Sequence, residues 1–432
     1  MEVFGINAGL LVIVTFVVLA LLRVPVFISL ALPSTAYVIA SGRPLLFTAN
    51  RMVRTLDSFT LLAIPLFIYV GSLMNHGEIT DKIFEFADAG VGHLSGGLAQ
   101  VNIVTSLVFS GISGSALADI GGVGRVLIRT MTNNGYEGDY SAALTSASAT
   151  IGPIFPPSIP LIIYGIIAEV SVLQLLIAGA GPAVVTVALL MAWTSYIARS
   201  RGFPSNDERA SVPQMVRALL LALPALLTPV ILIAGMLGGY FTPTEAAAVT
   251  VIYILLINTA VYRITGLRYL WRAAVETTRT TGSIVLIVAA AAVFSFVLSV
   301  EGIDSLFAEF VLSFSQNPVV VLLLVNLLLL FIGLFLDPIA ALVMMTPIVF
   351  PVLTEVGVDP VQTGVIIVFN LMLGLLTPPL GLSVYLSADI ADVSVGSVFS
   401  ETRVYYAVLL LALLVVTFVP EVSLAIVEQF FR

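Results

Sequence analysis

The chain contains no cysteine and very little charge. Of its 432 residues, 10% are charged and 59% are hydrophobic, and the mean hydropathy is +1.13. Soluble domains carry about 25% charged residues, so this composition excludes a soluble globular protein and indicates a chain that crosses a membrane several times. The absence of cysteine excludes disulfides, thiol catalysis and cysteine-bound metals.

The patterns of an ATP-driven pump or an enzyme are also missing. No Walker motif is present, and the glycines of Gly121-Gly122-Val123-Gly124 follow no predicted strand. His76 and His93 stand alone near predicted span ends, and no group of acids and histidines has metal-ligand spacing. The first residues lead into an apolar run without a charged region and cleavage site, so we expect no removable signal peptide.

Long apolar runs predict membrane spans, because a helix needs about 20 apolar residues to cross the bilayer. Spans are predicted at residues 5–22, 24–40, 60–74, 175–198, 218–236, 246–262, 282–299 and 405–427. Amphipathic patterns predict two helices on the membrane surface, at residues 78–93 and 304–314.

Arginines cluster in two connections in the middle of the chain, and connections of this kind remain in the cytoplasm. They are Arg199, Arg201, Arg209 and Arg217 in the first connection and Arg263, Arg268, Arg272 and Arg279 in the second. Counting spans outward from them places both termini outside the cytoplasm. Arg43, Arg51 and Arg54 then lie outside, against the same rule, and the two central clusters decide the orientation.

Four further apolar runs are interrupted by glycine, proline or serine. Residues 98–131 and 319–352 are predicted to form re-entrant helical hairpins, and residues 140–169 and 361–390 are predicted to form broken spans. An unpaired backbone group in lipid costs several kcal/mol, so such breaks persist where they line an enclosed or watery cavity. Matching breaks in two halves are typical of secondary transporters. We therefore predict an all-α, polytopic membrane protein with an inverted repeat of two re-entrant hairpins and two broken spans.

This prediction divides the chain into four segments. Residues 1–57 are predicted as N-terminal scaffold spans and residues 58–198 as the first repeat. Residues 199–280 are predicted as a central scaffold pair with cytoplasmic loops, and residues 281–432 as the second repeat with the last span.

The hairpin tips and the breaks carry the candidate site. Hydroxyls and free carbonyls suit Na⁺, and helix N-termini suit a carboxylate. Small residues alone are equally typical of close helix packing, but the matching breaks in the second half favour a binding site. The predicted ion- or substrate-binding residues are Ser110, Ser113, Gly114, Ser115, Gly152, Pro156, Gly333, Asp337, Thr377 and Pro378.

Two acids, Asp119 and Asp337, are predicted at membrane depth, where acids are costly and usually functional. Each can bind a cation directly or can cap and orient a tip. The orienting role is slightly favoured, because a carboxylate beside an anionic substrate would repel it. The predicted supporting or gating residues are Asp119, Pro157, Pro379 and Gly381.

At these motifs the sequence resembles the large membrane subunit of tripartite ATP-independent periplasmic (TRAP) transporters, the DctM and SiaM family. The resemblance covers essentially the whole chain, in order. It rests on Phe109-Ser110-Gly111-Ile112-Ser113-Gly114-Ser115-Ala116, Ile151-Gly152-Pro153-Ile154-Phe155-Pro156-Pro157-Ser158, Thr242-Pro243-Thr244-Glu245, Phe335-Leu336-Asp337-Pro338 and Gly374-Leu375-Leu376-Thr377-Pro378-Pro379-Leu380-Gly381. The chain departs from the family pattern at Ser383, where asparagine is often found.

The resemblance implies an elevator-type transport domain held by a scaffold, Na⁺ as the coupling ion and no other cofactor. It implies a small four-span, DctQ-like membrane subunit, an extracytoplasmic DctP-like binding protein and an organic acid as cargo. Carried over by motif, one Na⁺ site would involve Ser113, Ser115, Gly152 and Pro156. The other would involve Gly333, Asp337, Thr377 and Pro378.

We therefore expect a multi-pass subunit of a Na⁺-coupled importer in the inner cell membrane, with no enzymatic activity and no nucleic-acid partner. The alternative in the same class is a stand-alone Na⁺- or H⁺-coupled dicarboxylate carrier without a binding protein. Alternatives from other classes are an intramembrane enzyme and a channel. The substrate carboxylate is expected to bind helix N-termini, hydroxyls and Na⁺, because no arginine is predicted at the depth of the site.

Overall fold

The chain is almost entirely helical, which confirms the all-α prediction. The computed structural model describes residues 2–3, 6–75, 77–204, 209–264 and 266–431, and His76 lies outside these ranges. Near the N-terminus two short strands, β1 (Glu2–Val3) and β2 (Ile6–Asn7), pair antiparallel. Among the described helices, six are long and apolar enough to cross a membrane, or seven if the bent pair Leu45–Leu56 and Phe59–Met74 is one span.

The helices of the first half share a pattern of long segments separated by short breaks. In chain order they are α1 (Ala8–Leu21), α2 (Val26–Ala40), α3 (Leu45–Leu56), α4 (Ala63–Met74), α5 (Gly77–Val91), α6 (Gly97–Ser113), α7 (Ala116–Asp119), α8 (Arg125–Asn133), α9 (Gly138–Ala149), α10 (Ile159–Ile167), α11 (Val172–Ala178) and α12 (Ala180–Arg201). A 3₁₀ turn, Phe59–Leu62, precedes α4, and a π-helical stretch, Ile120–Gly124, joins α7 to α8.

The remaining helices begin with the central pair. They are α13 (Val212–Leu237), α14 (Pro243–Ala260), α15 (Leu267–Val300), α16 (Ile303–Phe314), α17 (Pro318–Gly333), α18 (Pro338–Glu355), α19 (Pro360–Leu373), α20 (Leu382–Ala391), α21 (Val395–Phe418) and α22 (Glu421–Phe431). A 3₁₀ turn, Gly374–Leu376, extends α19. The start of α14 is a capping box, in which the Thr242 backbone N–H donates to Glu245 Oε2 at 2.8 Å.

The N-terminal region differs from the prediction. The helices α1 and α2 have 14 and 15 residues, fewer than the roughly 20 that a straight span requires. The segment predicted as their following loop instead forms α3, which carries two of the arginines predicted outside the cytoplasm. Arg43 and Arg51 lie over the Phe296 ring at 4.6 and 4.7 Å, so cation–π contacts tie this region to α15.

Two helix boundaries also differ. The prediction of one last span at residues 405–427 is wrong, because α21 ends at Phe418 and α22 begins at Glu421, after Pro420. Proline lacks a backbone donor and disfavours a helical residue before it, so the helix stops there. The helix α15 is continuous over 34 residues, and the predicted segment boundary after residue 280 therefore falls inside it.

The helices that contain the predicted tips and breaks pack against one another. In the first half α9 packs against α6 and α8, and in the second half α19 packs against α17 and α18. The two broken helices also meet, α9 with α20 and α10 with α19. Around them, α4 packs on α6 and α14, and α15 packs on α2, α3, α4 and α18. The hairpin tips therefore lie next to both breaks and to the surrounding long helices.

Candidate functional site

The tip of the first hairpin lies between α6 and α7. Gly114 ends α6 with φ of 62°, a left-handed conformation that glycine adopts without steric strain. Ser115 then caps α7, with its Oγ accepting from the Ala118 N–H at 3.5 Å, and its own N–H donates to Ser113 Oγ at 3.3 Å. The serine hydroxyls of the tip are thus held by the turn itself.

Asp119 lies one turn beyond this tip and is buried. Ser113 Oγ donates to Asp119 Oδ1. The second carboxyl oxygen, Oδ2, is buried and has no hydrogen-bond partner among the described residues. A Cβ placed on Gly152 would lie 2.7 Å from this oxygen and 3.4 Å from the Ser115 carbonyl carbon. The tip, the acid and the first break therefore meet at one point.

The first break packs tightly against the same tip. Pro156 and Pro157 are buried, and a Cβ on Gly114 would overlap the Pro157 carbonyl oxygen. Ser158 restarts the helix by accepting from the Leu161 N–H at 3.2 Å, and it donates to the Pro153 carbonyl. Glycine at position 114 is therefore required by two constraints, its backbone conformation and this close approach.

The second tip uses a carboxylate where the first uses a serine. Asp337 caps α18, with Oδ1 accepting from the Ile339 N–H at 3.0 Å and the Ala340 N–H at 3.3 Å. Gly333 at the end of α17 lies directly against Gly374, because a Cβ on Gly374 would overlap the Gly333 carbonyl oxygen. Each tip thus contacts the break of its own half backbone to backbone.

The C-terminal end of the second break, at Thr377 and Pro378, lines a different cavity from the first tip. Thr377 Oγ1 donates to the Leu373 carbonyl at 3.1 Å and to the Gly374 carbonyl at 3.2 Å. Thr377 and Pro378 line a separate cavity of about 430 Å³ together with Arg403. Gly381, with φ of 47°, immediately precedes α20. Pro379 follows a cis peptide bond, as Pro157 does in the first half.

A cavity of about 840 Å³ lies between the two hairpin tips and a wall formed by α2, α4 and α15. Five of the predicted site residues line it. They are Ser113, Gly114, Ser115, Asp119 and Asp337. The lining does not include Ser110, Gly152, Pro156, Gly333, Thr377 or Pro378. The Ser110 hydroxyl donates to the Ser106 carbonyl within α6 at 2.6 Å. The cavity is therefore lined by residues of both predicted tips, but by only part of the predicted site.

The wall opposite the tips contributes charged residues that are absent from the predicted site. Glu276 and Arg279 on α15 line the cavity, although the sequence predicts Arg279 in a cytoplasmic connection and not among the site residues. The first half of α15 is polar, which is why its sequence predicts a cytoplasmic loop. One signal in the sequence could have identified these charged residues as part of one helix face. Arg272, Glu276, Arg279 and Ser283 recur every three or four residues, the spacing of one helix face.

Comparison with known proteins identifies the family. Residues 13–422 match the family described as "Tripartite ATP-independent periplasmic transporter, DctM component". The chain is 40% identical over 407 residues to the sialic acid TRAP transporter large permease protein SiaM of Vibrio cholerae, covering 94% of this chain and 95% of that protein. It is 35% identical to the C4-dicarboxylate TRAP transporter large permease protein DctM of Pseudomonas aeruginosa, covering 88% of each.

The fold agrees with that of a solved transporter. The structure of the Alcanivorax borkumensis YdaH transporter matches 98% of this chain and 99% of its own with a TM-score of 0.60, at 15% sequence identity. At that identity the match shows the fold alone. The sequence relatives are transporter permeases, which confirms the expectation of a transport protein rather than an enzyme. The chain therefore belongs to the DctM family of TRAP transporters as a large, multi-pass membrane permease subunit.

Proposed function

We propose that this subunit carries an organic acid across the inner membrane in a Na⁺-coupled step. The observation that supports it most is the unpartnered Oδ2 of Asp119, buried between the first tip and Gly152. A buried charge without a partner is strongly destabilising, and an acid at membrane depth is a functional residue by default. A cation bound at this oxygen would supply the missing partner.

The proposed ion sites pair each tip with the break of its own half. The first combines oxygens of Ser113, Ser115, Gly152 and Pro156 with Asp119, and the second combines those of Gly333, Asp337, Thr377 and Pro378. Hydroxyl, carbonyl and carboxylate oxygens are the donors that hard cations prefer. The backbone contacts of Gly114 with Pro157 and of Gly333 with Gly374 support the pairing. Of the second set, Asp337 lines the main cavity, whereas Thr377 and Pro378 line the separate cavity of about 430 Å³.

This arrangement gives a physical reason for coupling. An ion that bridges a tip and a break fixes the tip, and the tip forms one wall of the main cavity. In each hairpin the helix after the tip begins at a residue that lines this cavity. These residues are Ala116 in α7 and Pro338 in α18. Their helix N-termini carry partial positive charge and backbone N–H donors, which favour the polar groups of an anionic substrate. Substrate affinity should therefore depend on bound Na⁺.

The moving part is proposed to be the two hairpins with the two broken helices, related to each other as inverted repeats. The helices α13 and α14 lack such breaks, and they pack on each other and on α4–α6. Elevator motion would carry the tips past this scaffold. A small four-span membrane subunit and an extracytoplasmic binding protein complete the proposed transporter, as the tripartite family description implies.

The experiment is uptake into proteoliposomes that contain this chain, its small subunit and the binding protein. Sialic acid and succinate serve as probes, because relatives carry the names of sialic acid and C4-dicarboxylate transporters. Uptake should require all three proteins and an inward Na⁺ gradient, and choline should not replace Na⁺. Uptake by this chain alone would instead identify a stand-alone carrier. Uptake that is equal in Na⁺ and choline at constant pH would contradict Na⁺ coupling.

A further inference from the structure

The charged wall of the main cavity is not explained by ion binding at the tips. Arg279 and Glu276 lie one turn apart on α15, and both are exposed and line the cavity. Within the described ranges, no ion pair or side-chain hydrogen bond involves the Arg279 guanidinium or the Glu276 carboxylate. An arginine without a protein partner, in a cavity between the tips proposed to move, is free to bind an anion.

The charge balance of the lining limits which anion fits. Four ionisable side chains line the cavity, namely Asp119, Glu276, Arg279 and Asp337. Three are acids and one is a cation. Asp337 caps α18, and Asp119 accepts from Ser113, so both acids belong to the tips. Arg279 is therefore the one cationic side chain of the lining, and Glu276 beside it disfavours a second negative charge near α15.

The rest of the wall is largely apolar, with a few neutral polar side chains among the apolar ones. Ser72 and Asn75 at the end of α4 and Thr280 and Ser283 on α15 line the same cavity. Hydroxyl and amide groups can donate to and accept from the hydroxyls of a substrate. A volume of about 840 Å³ is at the upper part of the usual range for small-molecule sites, about 300–1,000 Å³.

We propose that Arg279 and Glu276 select the substrate, so that this transporter prefers a hydroxylated organic monoanion to a dicarboxylate. Arg279 binds the single carboxylate or sulfonate, since its planar guanidinium matches such groups in a two-pronged contact. The helix α15 packs on α2, α3 and α4, and it also packs on α18 of the second hairpin, so this contact exists only in the arrangement in which the tips face Arg279. The inference rests on the proposed function and names its substrate class.

The test uses the absence of native cysteine. Ser283→Cys places one thiol in the cavity wall, and an uncharged methanethiosulfonate reagent measures its accessibility in Na⁺ buffer. Sialic acid, isethionate and succinate are added as protecting anions. We expect at least one of the two monoanions to protect the thiol at a tenfold lower concentration than succinate. Succinate as the best protector, or no protection by any of the three, would overturn the proposal.

Variants on the same background assign the effect to residues. Arg279→Gln should raise the protecting concentration of every anion at least tenfold, and Arg279→Lys should restore part of it. Glu276→Gln should bring succinate closer to the monoanions. Arg272→Gln is the matched control, because it removes an equal charge from the same helix at a residue that does not line the main cavity. Equal behaviour of Arg279→Gln and Arg272→Gln would contradict the proposal.

Two controls keep the result independent of folding and of Na⁺ coupling. Each variant should show the parent labelling rate without anion and the parent melting temperature in detergent. Labelling needs neither partner protein nor a Na⁺ gradient. If uptake by the parent transporter did not depend on Na⁺ but anions still protected the thiol, the coupling mechanism would be refuted and the substrate assignment would stand.

Discussion

At the scale of single residues, the carboxylates at the two tips differ in their hydrogen-bond partners. Asp337 caps a helix and so satisfies backbone donors, whereas Asp119 has one oxygen without a donor. Asparagine can replace an aspartate that caps a helix, but it cannot replace the charge of one that binds a cation. The same substitution at the two positions should therefore give different results.

Asp119→Asn should raise the Na⁺ concentration for half-maximal uptake at least tenfold, which corresponds to about 1.4 kcal/mol. Asp337→Asn should shift it less, because two backbone N–H groups already donate to Asp337 Oδ1 and the amide oxygen still caps α18. The measurement is a Na⁺ titration of uptake for both variants and the parent. If Asp119→Asn kept the parent's Na⁺ dependence and only lowered the maximal rate, the acid would act in gating and not as an ion ligand.

Gly114→Ala should destabilise the protein by more than about 1 kcal/mol, because the new Cβ meets the Pro157 carbonyl and the residue has φ of 62°. Gly90→Ala is the matched control. No atom lies within 4 Å of its Cβ position in α5, and alanine favours a helix over glycine. The melting temperature in detergent should fall for the first variant and stay or rise for the second. Equal melting temperatures would show that the tip is not tightly packed on the break.

At the scale of elements, polar bonds hold each hairpin to its broken helix. In the first half Asn102 Nδ2 donates to Thr145 Oγ1 at 2.7 Å, and Ser148 Oγ donates to Asn102 Oδ1 at 3.0 Å. In the second half Asn370 Nδ2 donates to Asn326 Oδ1 at 2.7 Å. Inside a membrane bundle such bonds contribute about 0.6–2 kcal/mol each. They help each hairpin and its broken helix to behave as one body.

Asn102→Leu should therefore destabilise the protein by about 1–3 kcal/mol, since it removes both bonds to α9 and the bond to Met131 Sδ, and leaves buried hydroxyls of Thr145 and Ser148 with fewer partners. Thr259→Ala serves as control, because that exposed hydroxyl bonds only within its own helix, to the Leu255 carbonyl. Thermal unfolding in detergent measures both. A change for Asn102→Leu no larger than for Thr259→Ala would mean that the Asn102 bonds do not stabilise the contact of α6 with α9.

The elements differ in how far the sequence determines them. Glycine, proline and serine within apolar runs predict both tips and both breaks, because the backbone is interrupted at membrane depth only where protein or a watery cavity surrounds it. The helix α3 escapes prediction because its 12 residues mix arginine with leucine and valine. The polar first half of α15 escapes it because the depth of a residue in the membrane depends on tertiary packing. Arg279 is absent from the predicted site for the same reason.

At the scale of the whole molecule, the proposed mechanism requires the tips and breaks to move together past a fixed scaffold. One contact between these bodies is well defined, since a Cβ on Gly111 in α6 would lie 3.1 Å from the Pro229 Cβ in α13. A contact within the moving body is equally clear, because Ser146 Oγ on α9 lies 2.7 Å from Ser387 Oγ on α20. Both pairs are close enough for a disulfide after small shifts.

The most direct measurement is uptake by two double-cysteine variants before and after oxidation, in a chain without native cysteine. In Gly111→Cys/Pro229→Cys the cross-link joins the tip-bearing hairpin to the scaffold, so oxidation should abolish uptake and reductant should restore it. In Ser146→Cys/Ser387→Cys the cross-link lies within the moving body, so uptake should persist, and each single variant should be insensitive to oxidant. Complete cross-linking of residues 111 and 229 with unchanged uptake would contradict the proposed elevator motion.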